Sequence, residues 1–203
     1  MTRRMSIGIV GAGIAGLSCA QRLQAAGHIV KVFDKGRGVG GRMATRHIAS
    51  PVGAVSFDHG AQYFTARNPH FASTVAQWDA SGIVAPWPSA GDDAWVGTPG
   101  MNAVVKAMAQ ALAVEANARV DALRRIDGTW FLDPVSDEPL DAVIVATPAE
   151  QAAPLLVAHD PAMAAMAQAC PSAPCWTAML GFGDRIAIAK DILRDAGIIG
   201  WAD

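Results

Sequence analysis

Cysteine is scarce: Cys19, Cys170 and Cys175 are the only three in 203 residues, and they form neither a full set of pairs nor a Cys-x-x-Cys motif. A disulfide scaffold is therefore excluded, and the usage suits a reducing compartment. Charge is sparse too, at 17% of residues with a net charge of −2. The basic residues form no long run and no patch interleaved with aromatics, which argues against a nucleic-acid partner and against an anionic membrane surface. No apolar run is long enough to cross a bilayer without interruption. No cluster of histidine, cysteine and carboxylates has metal-ligand spacing, so no metal site is expected. Repeats and low-complexity linkers are absent as well. Arg3-Arg4 and the apolar stretch behind them imitate a secretory signal. The glycines of that stretch have another use, however, and the cytoplasm is the expected location.

What is present is a chain that is 52% hydrophobic, enough to bury one large core or one domain with part of a second. Its most informative segment runs from Ile7 to Arg42. The apolar run Ile7 to Val10 reads as a strand, and the segment opened by Gly11-x-Gly13-x-x-Gly16 has helical periodicity. In such a turn Gly11 permits the tight bend, Gly13 lets the backbone approach a diphosphate, and Gly16 lets helix and strand pack closely. Ile14 and Ala15 then open the helix, whose first-turn amides face the ligand. Gly27 ends that helix, and a second strand, Ile29 to Phe33, leads into Asp34. That is the distance at which a carboxylate accepts from ribose hydroxyls, and a carboxylate there disfavours a 2′-phosphate. Lys35-Gly-Arg37-Gly-Val-Gly40-Gly41-Arg42 follows directly: glycines that expose amides, with Lys35, Arg37 and Arg42 as cations for phosphate oxygens. A solvated Gly/Arg turn is the plainer alternative for this second loop.

Together, Asp34, Arg37 and Gly40-Gly41-Arg42 resemble the flavin-containing amine oxidase superfamily, and later segments resemble its renalase-like branch. Those segments are Phe57-Asp58-His59-Gly60-Ala61-Gln62-Tyr63-Phe64-Thr65, Trp95 to Asn102, and Asp141 to Pro148. The resemblance implies FAD as cofactor. It implies that Gly60, Ala61, Gln62 and Tyr63 border the flavin ring, that backbone at Val120 meets the adenine, and that Thr147-Pro148 approaches the cofactor. It implies hydride transfer from a small-molecule substrate to flavin N5, with molecular oxygen as acceptor. The renalase-like branch is associated with dihydronicotinamide isomers rather than ordinary amines. Many relatives place a lysine near N5, and none of Lys31, Lys35, Lys106 and Lys190 matches it. Catalytic residues are therefore unassigned, with Gln62 and Tyr63 as weak candidates for flavin or substrate contact. Tyr63 and Phe64 read equally well as core aromatics, Trp95 as a pocket wall or a buried ring, and His59 as a satisfied structural histidine.

Short strands are expected at Met43 to Ile48 and Ala54 to Phe57. Asn68-Pro69 caps a helix running to about Ala80, and Gly82 to Pro88 reads as an edge strand. A helix is expected from Asn102 to Val114, then a hairpin from Arg119 to Leu132 turning at Asp127-Gly128. Asp141 to Ala146 reads as a central parallel strand covered on both faces. Thr147 is placed to cap the next helix by accepting from the Glu150 amide, with Glu150 reaching back. Asp160-Pro161 starts another helix, Cys175 to Phe182 reads as a strand, and Ile186 to Ala196 as a short helix.

The expected architecture is α/β: a Rossmann-like FAD-binding domain, with a parallel sheet, helices and a β-meander or hairpin, plus a partial α+β substrate domain. The FAD-binding domain is expected at 1–68 and 98–155, the substrate domain at 69–97 and 156–203. The family's C-terminal Gly-Asp segment has no counterpart after Phe182, which is expected of a fragment of a longer protein. Two alternatives stand beside an FAD-dependent oxidoreductase: a dinucleotide-binding module without turnover, and an NAD-dependent dehydrogenase sharing only the first βαβ unit.

Overall fold

The computed structural model describes residues 3–51, 53–184, 187, 192–194 and 201–202. Two compact units make up the chain, Met1–Met43 with Val105–Trp176, and Ala44–Val104 with Thr177–Asp203. In chain order the elements begin with β1 (Ser6–Val10), α1 (Ile14–Ala25), β2 (Ile29–Phe33) and a 3-10 turn at Gly41–Met43. They continue through β3 (Thr45–Ser50), β4 (Gly53–Asp58), β5 (Phe64–Thr65), α2 (Pro69–Ala80), β6 (Val84–Pro86), β7 (Ala94–Gly97) and α3 (Asn102–Ala109). Next come β8 (Ala113–Glu115), β9 (Ala122–Ile126), β10 (Thr129–Asp133), β11 (Ser136–Leu140) and β12 (Ala142–Val145). Helices α4 (Ala149–Leu156) and α5 (Pro161–Gln168) and strands β13 (Leu193–Arg194) and β14 (Trp201–Ala202) complete the set.

The first unit is built on a parallel sheet in the order β12-β1-β2-β8. Its strands are short and rich in Ile and Val, as suits a sheet covered on both faces. Ile9 and Val32 are completely buried, as is Leu17 on α1. Helix α1 ends in a Schellman motif: Gly27 has φ +89°, its N–H donates to the Gln24 carbonyl, and the His28 N–H donates to the Leu23 carbonyl. The antiparallel meander β9-β10-β11 turns at Asp127-Gly128, where both residues have positive φ, the geometry of a tight two-residue hairpin. Gly8 leaves the space that Leu140 and Leu132 enter; a Cβ there would lie 2.6 Å from Leu140 Cδ1. Val10, Phe33, Ala118, Leu132, Leu140 and Leu155 form the core, and burying a side chain such as Phe33 stabilises by about 1.5–3 kcal/mol.

Several elements differ from the sequence expectation. Helix α3 stops at Ala109 rather than continuing to Val114. Gln21 and Gln24 of α1 donate side-chain amides to the carbonyls of Met108 and Ala111, satisfying the end of the helix. The chain then turns and lays Ala113–Glu115 beside β2 as a fourth parallel strand, too short to show in the pattern. β12 stands at the end of the strand order among the described residues and is only half-buried, not central. Thr147 does not cap α4. Pro148 holds the N-cap position and its carbonyl accepts from Gln151 and Ala152, so Thr147 lies one residue too early.

In the second unit β3 and β4 form a hairpin with Thr45 opposite Asp58. Asp58 accepts from the Thr45 hydroxyl and from the Met101 N–H, and Thr45 Oγ1 accepts from Asn102 N–H. This pair thereby ties the hairpin to the start of α3. Asn68 caps α2 by accepting from the His70 and Phe71 amides, as expected. β5, β7 and β6 form a small antiparallel sheet with β6 at its edge. Cys175 to Phe182 is not a strand: it has no ladder partner among the described residues, and Trp176 is 98% exposed. Within Ile186 to Ala196, Leu193–Arg194 pairs with Trp201–Ala202 as a strand and not a helix. Lys190 and the rest of that stretch, apart from Ala187 and Ile192, lie outside the described residues. Among those described, no helix is long and apolar enough to cross a membrane, and no group of acidic, histidine and cysteine side chains could hold a metal.

Candidate cofactor site

A cavity of about 690 Å³ opens at the carboxyl ends of β1, β2 and β12. Its size is that of a small-molecule site, and its position is where doubly wound sheets bind ligands. Val10, Gly11, Gly13, Ile14 and Ala15 line it from the first strand and helix; Phe33, Asp34 and Lys35 from the second strand. Gly40, Gly41 and Arg42 close it from the basic loop, and Ala118 to Asp121 from the approach to the meander. Ala146, Thr147 and Pro148, with Glu150, Gln151, Pro154 and Leu155 of α4, supply the remaining wall.

The glycines of the first loop have separate physical tasks. Gly11 has φ +110°, and a Cβ there would lie 2.8 Å from the Ala146 carbonyl oxygen. Gly16 is the tightest: its Cβ would sit 2.0 Å from the Gly11 carbonyl oxygen. It supports the turn from beneath and is not among the residues lining the cavity. Gly13 is the opposite case, with nothing within 4 Å of an added Cβ. No described atom of the protein requires its bareness, so the backbone there stands open. Helix α1 starts there with no side-chain cap and no acidic residue in its first turn, so its amides and positive dipole end are left for an anion.

Asp34 is held in place from two sides. Its Oδ2 accepts from the Ala12 N–H at 2.6 Å and its Oδ1 from the Gly36 N–H at 2.7 Å. An ionised carboxylate has about four acceptor positions, so each oxygen keeps capacity for a hydroxyl. The Gly40 N–H donates to the Ala12 carbonyl at 3.0 Å, folding the basic loop back onto the first glycine turn. Lys35 and Arg42 reach the cavity, whereas Arg37 is exposed and is not among its lining residues. Thr147 Oγ1 is buried and has no hydrogen-bond partner among the described residues. A buried orphan hydroxyl is costly unless a ligand pairs it.

Together Gly13, the uncapped α1, Asp34, Arg42 and the orphaned Thr147 fit a dinucleotide with its diphosphate at the helix end. Sequence reasoning missed Arg119, Asp121, Gln151 and Pro154 as lining residues and took Glu150 for a capping side chain. Arg119 and Asp121 flank Val120 and pair with each other at 2.8 Å, an arrangement hidden in the sequence by their separation of two. Glu150 accepts instead from the Ser172 N–H at 2.5 Å. That hydrogen bond, with lesser help from Arg42, holds its carboxyl below the ordinary value.

Gly60, Ala61, Gln62 and Tyr63 belong to the second unit, on the loop between β4 and β5, and are not among the lining residues. The Tyr63 ring stands edge-on to Trp87 at 5.9 Å, and Phe64 packs on Phe71 at 5.8 Å. Trp95 lies on β7, half-buried. His59 is not a satisfied histidine: its Nδ1 is buried without a partner among the described residues, while its carbonyl accepts from the Thr177 hydroxyl.

Comparison with known proteins bears on the same segments. A model of the NAD(P)-binding Rossmann-like domain matches residues 9–78, and one of the flavin containing amine oxidoreductases matches residues 89–198, more than half of the chain. Over 40 residues, 20% of this chain and 8% of the relative, it is 55% identical to a 4,4'-diapophytoene desaturase (4,4'-diaponeurosporene-forming) of Staphylococcus haemolyticus. Its fold is similar to that of a putrescine oxidase bound to putrescine, with TM-score 0.57, 16% identity, and coverage of 76% of this chain and 60% of that one. An Exiguobacterium sp. 255-15 protein assigned as a protoporphyrinogen oxidase gives TM-score 0.59 and 12% identity over 80% of this chain and 64% of that one. The chain thus spans less than two thirds of the length of these relatives. With the cavity and these matches in hand, the chain belongs to the flavin-containing amine oxidoreductase family, whose cofactor is FAD.

Proposed function

We propose that this chain is the cofactor-binding part of an FAD-dependent oxidoreductase of renalase-like type. The observation that carries this reading is the cavity at the carboxyl ends of β1, β2 and β12, with an open Gly13 above an uncapped helix end. FAD held here would supply a hydride acceptor for a small reduced substrate, a dihydronicotinamide isomer or an amine, with reoxidation by oxygen. Around it the polypeptide binds and orients. The Gly13 backbone and the first turn of α1 hold the diphosphate, Arg42 and Lys35 neutralise it, and Asp34 accepts from the ribose hydroxyls. Thr147 donates its otherwise unpaired hydroxyl to the cofactor. Val120 meets the adenine through its backbone.

In functional terms residues 1–68 and 98–155 serve the FAD and residues 69–97 and 156–203 the substrate. Gly60, Ala61, Gln62 and Tyr63 border the flavin ring, with Gln62 and Tyr63 contacting flavin or substrate. Three free cysteines suit a cytoplasmic protein.

The visible absorption spectrum of the purified chain, followed by mass analysis of the released cofactor, tests the reading. A flavin spectrum and the mass of FAD are expected. Retention of NAD without flavin, or a colourless and ligand-free protein, would overturn it.

A further inference from the structure

Glu150 is a carboxylate in a wall that otherwise suits an anion. It lines the cavity with Arg42 and Lys35, and it is also a wall of a smaller groove of about 400 Å³ formed with Pro154, Val157, Gln168 and Pro171. The other charged lining residues are already committed. Arg119 is paired with Asp121, and Asp34 is held by the Ala12 and Gly36 amides. Glu150 thus shares the cavity wall with Lys35 and Arg42 and, unlike Asp121, has no cationic hydrogen-bond partner among the described residues. The Ser172 N–H donates to its Oε1 at 2.5 Å, which favours this orientation.

Resting on the reading of this cavity as a dinucleotide site, we propose that Glu150 sets its affinity, an anionic wall that weakens the hold on the cofactor diphosphate. A glutamate is ionised at neutral pH in any case, and the bond from Ser172, with a lesser contribution from Arg42, lowers its value further. The Ser172 tether also gives the 170–176 segment a direct handle on the cavity: whatever pulls Ser172 from Glu150 changes the charge environment of the diphosphate.

The test is titration of the cofactor-stripped 203-residue chain with ADP and with FAD by calorimetry. Glu150→Gln keeps an oxygen for the Ser172 amide and removes the charge. It should bind both ligands roughly fivefold tighter at low salt, with the gain shrinking as salt screens it. Glu150→Asp, which keeps the charge, should stay within about twofold of the parent. Equal or weaker binding by Glu150→Gln, or a gain indifferent to salt, would overturn the proposal while leaving the cofactor site standing. If the parent chain binds neither ADP nor FAD, the site reading fails and this inference falls with it.

Discussion

Between Gly11 and Gly16, two glycines are demanded by the protein's own packing and Gly13 is not, whereas the loop from Gly36 to Gly41 is demanded only in part. Gly11 and Gly16 sit where a Cβ would strike backbone oxygen at 2.8 and 2.0 Å. In the basic loop an added Cβ at Gly38 meets nothing within 4 Å, and Arg37 points its charge at solvent. Only the end of that loop, Gly40 to Arg42, returns to the cavity, drawn there by the Gly40–Ala12 hydrogen bond. Two glycine-rich stretches thus differ in kind. The first is a close-packed turn whose open face is Gly13, and the second is a tether that brings Arg42 to the cavity.

The sharpest way to break this comparison is Gly16→Ala. Its methyl cannot fit without moving the backbone of the Gly11 turn, so a loss of about 3 kcal/mol in urea denaturation is expected, and a change under about 1 kcal/mol would show that the turn is soft. Gly13→Ala should separate fold from function. Stability should fall by no more than about 1 kcal/mol, the cost of alanine at a helix N-cap with room for its methyl, while FAD content of the purified protein falls steeply. Full flavin content in that variant would mean that the diphosphate lies elsewhere. Within the basic loop, Arg42→Ala should weaken FAD binding roughly tenfold, whereas Arg37→Ala should leave it within about twofold. Equal losses from the two would erase the distinction between the tether and the residue it delivers.

The smallest effect concerns acid. Hydrogen bonds from Arg67, Arg124 and Ser172 hold the carboxyls of Asp93, Asp133 and Glu150, respectively, below their ordinary values. A lowered folded-state value contributes stability above the unfolded value, and that contribution is lost as pH falls through the folded one. A modest decline in thermal midpoint is therefore expected only below about pH 4, and a decline already at pH 6 would point to another group. The Arg67–Asp93 and Ser172–Glu150 pairs are solvent-exposed and Arg124–Asp133 is half-buried, so the decline should flatten in high salt mainly through the first two.

Much of the cofactor region was legible because its signals are local. Gly11, Gly13, Ile14, Ala15, Asp34 and Arg42 line one cavity, as expected from a strand, a turn and a helix encoded within a few residues, and Val120 and Thr147-Pro148, which only the resemblance implied, line it too. What failed was whatever depended on a distant partner. β8 is three residues long and exists because β2 offers it an edge. Cys175 to Phe182 has strand-like composition but no ladder partner among the described residues. Thr147 and Glu150 have the spacing of a capping box, yet Pro148 took the N-cap and Ser172, 22 residues away, took the glutamate.

By itself, the sequence determined the βαβ unit, its two glycine turns and the carboxylate at Asp34, because backbone sterics and 3.6-residue periodicity act over a few neighbouring residues. Only the tertiary structure decided which charges share the cavity, that Thr147 Oγ1 and His59 Nδ1 are buried without a partner among the described residues, and where β12 stands in the sheet. Those outcomes depend on contacts between residues far apart in the chain, and periodicity carries no information about them.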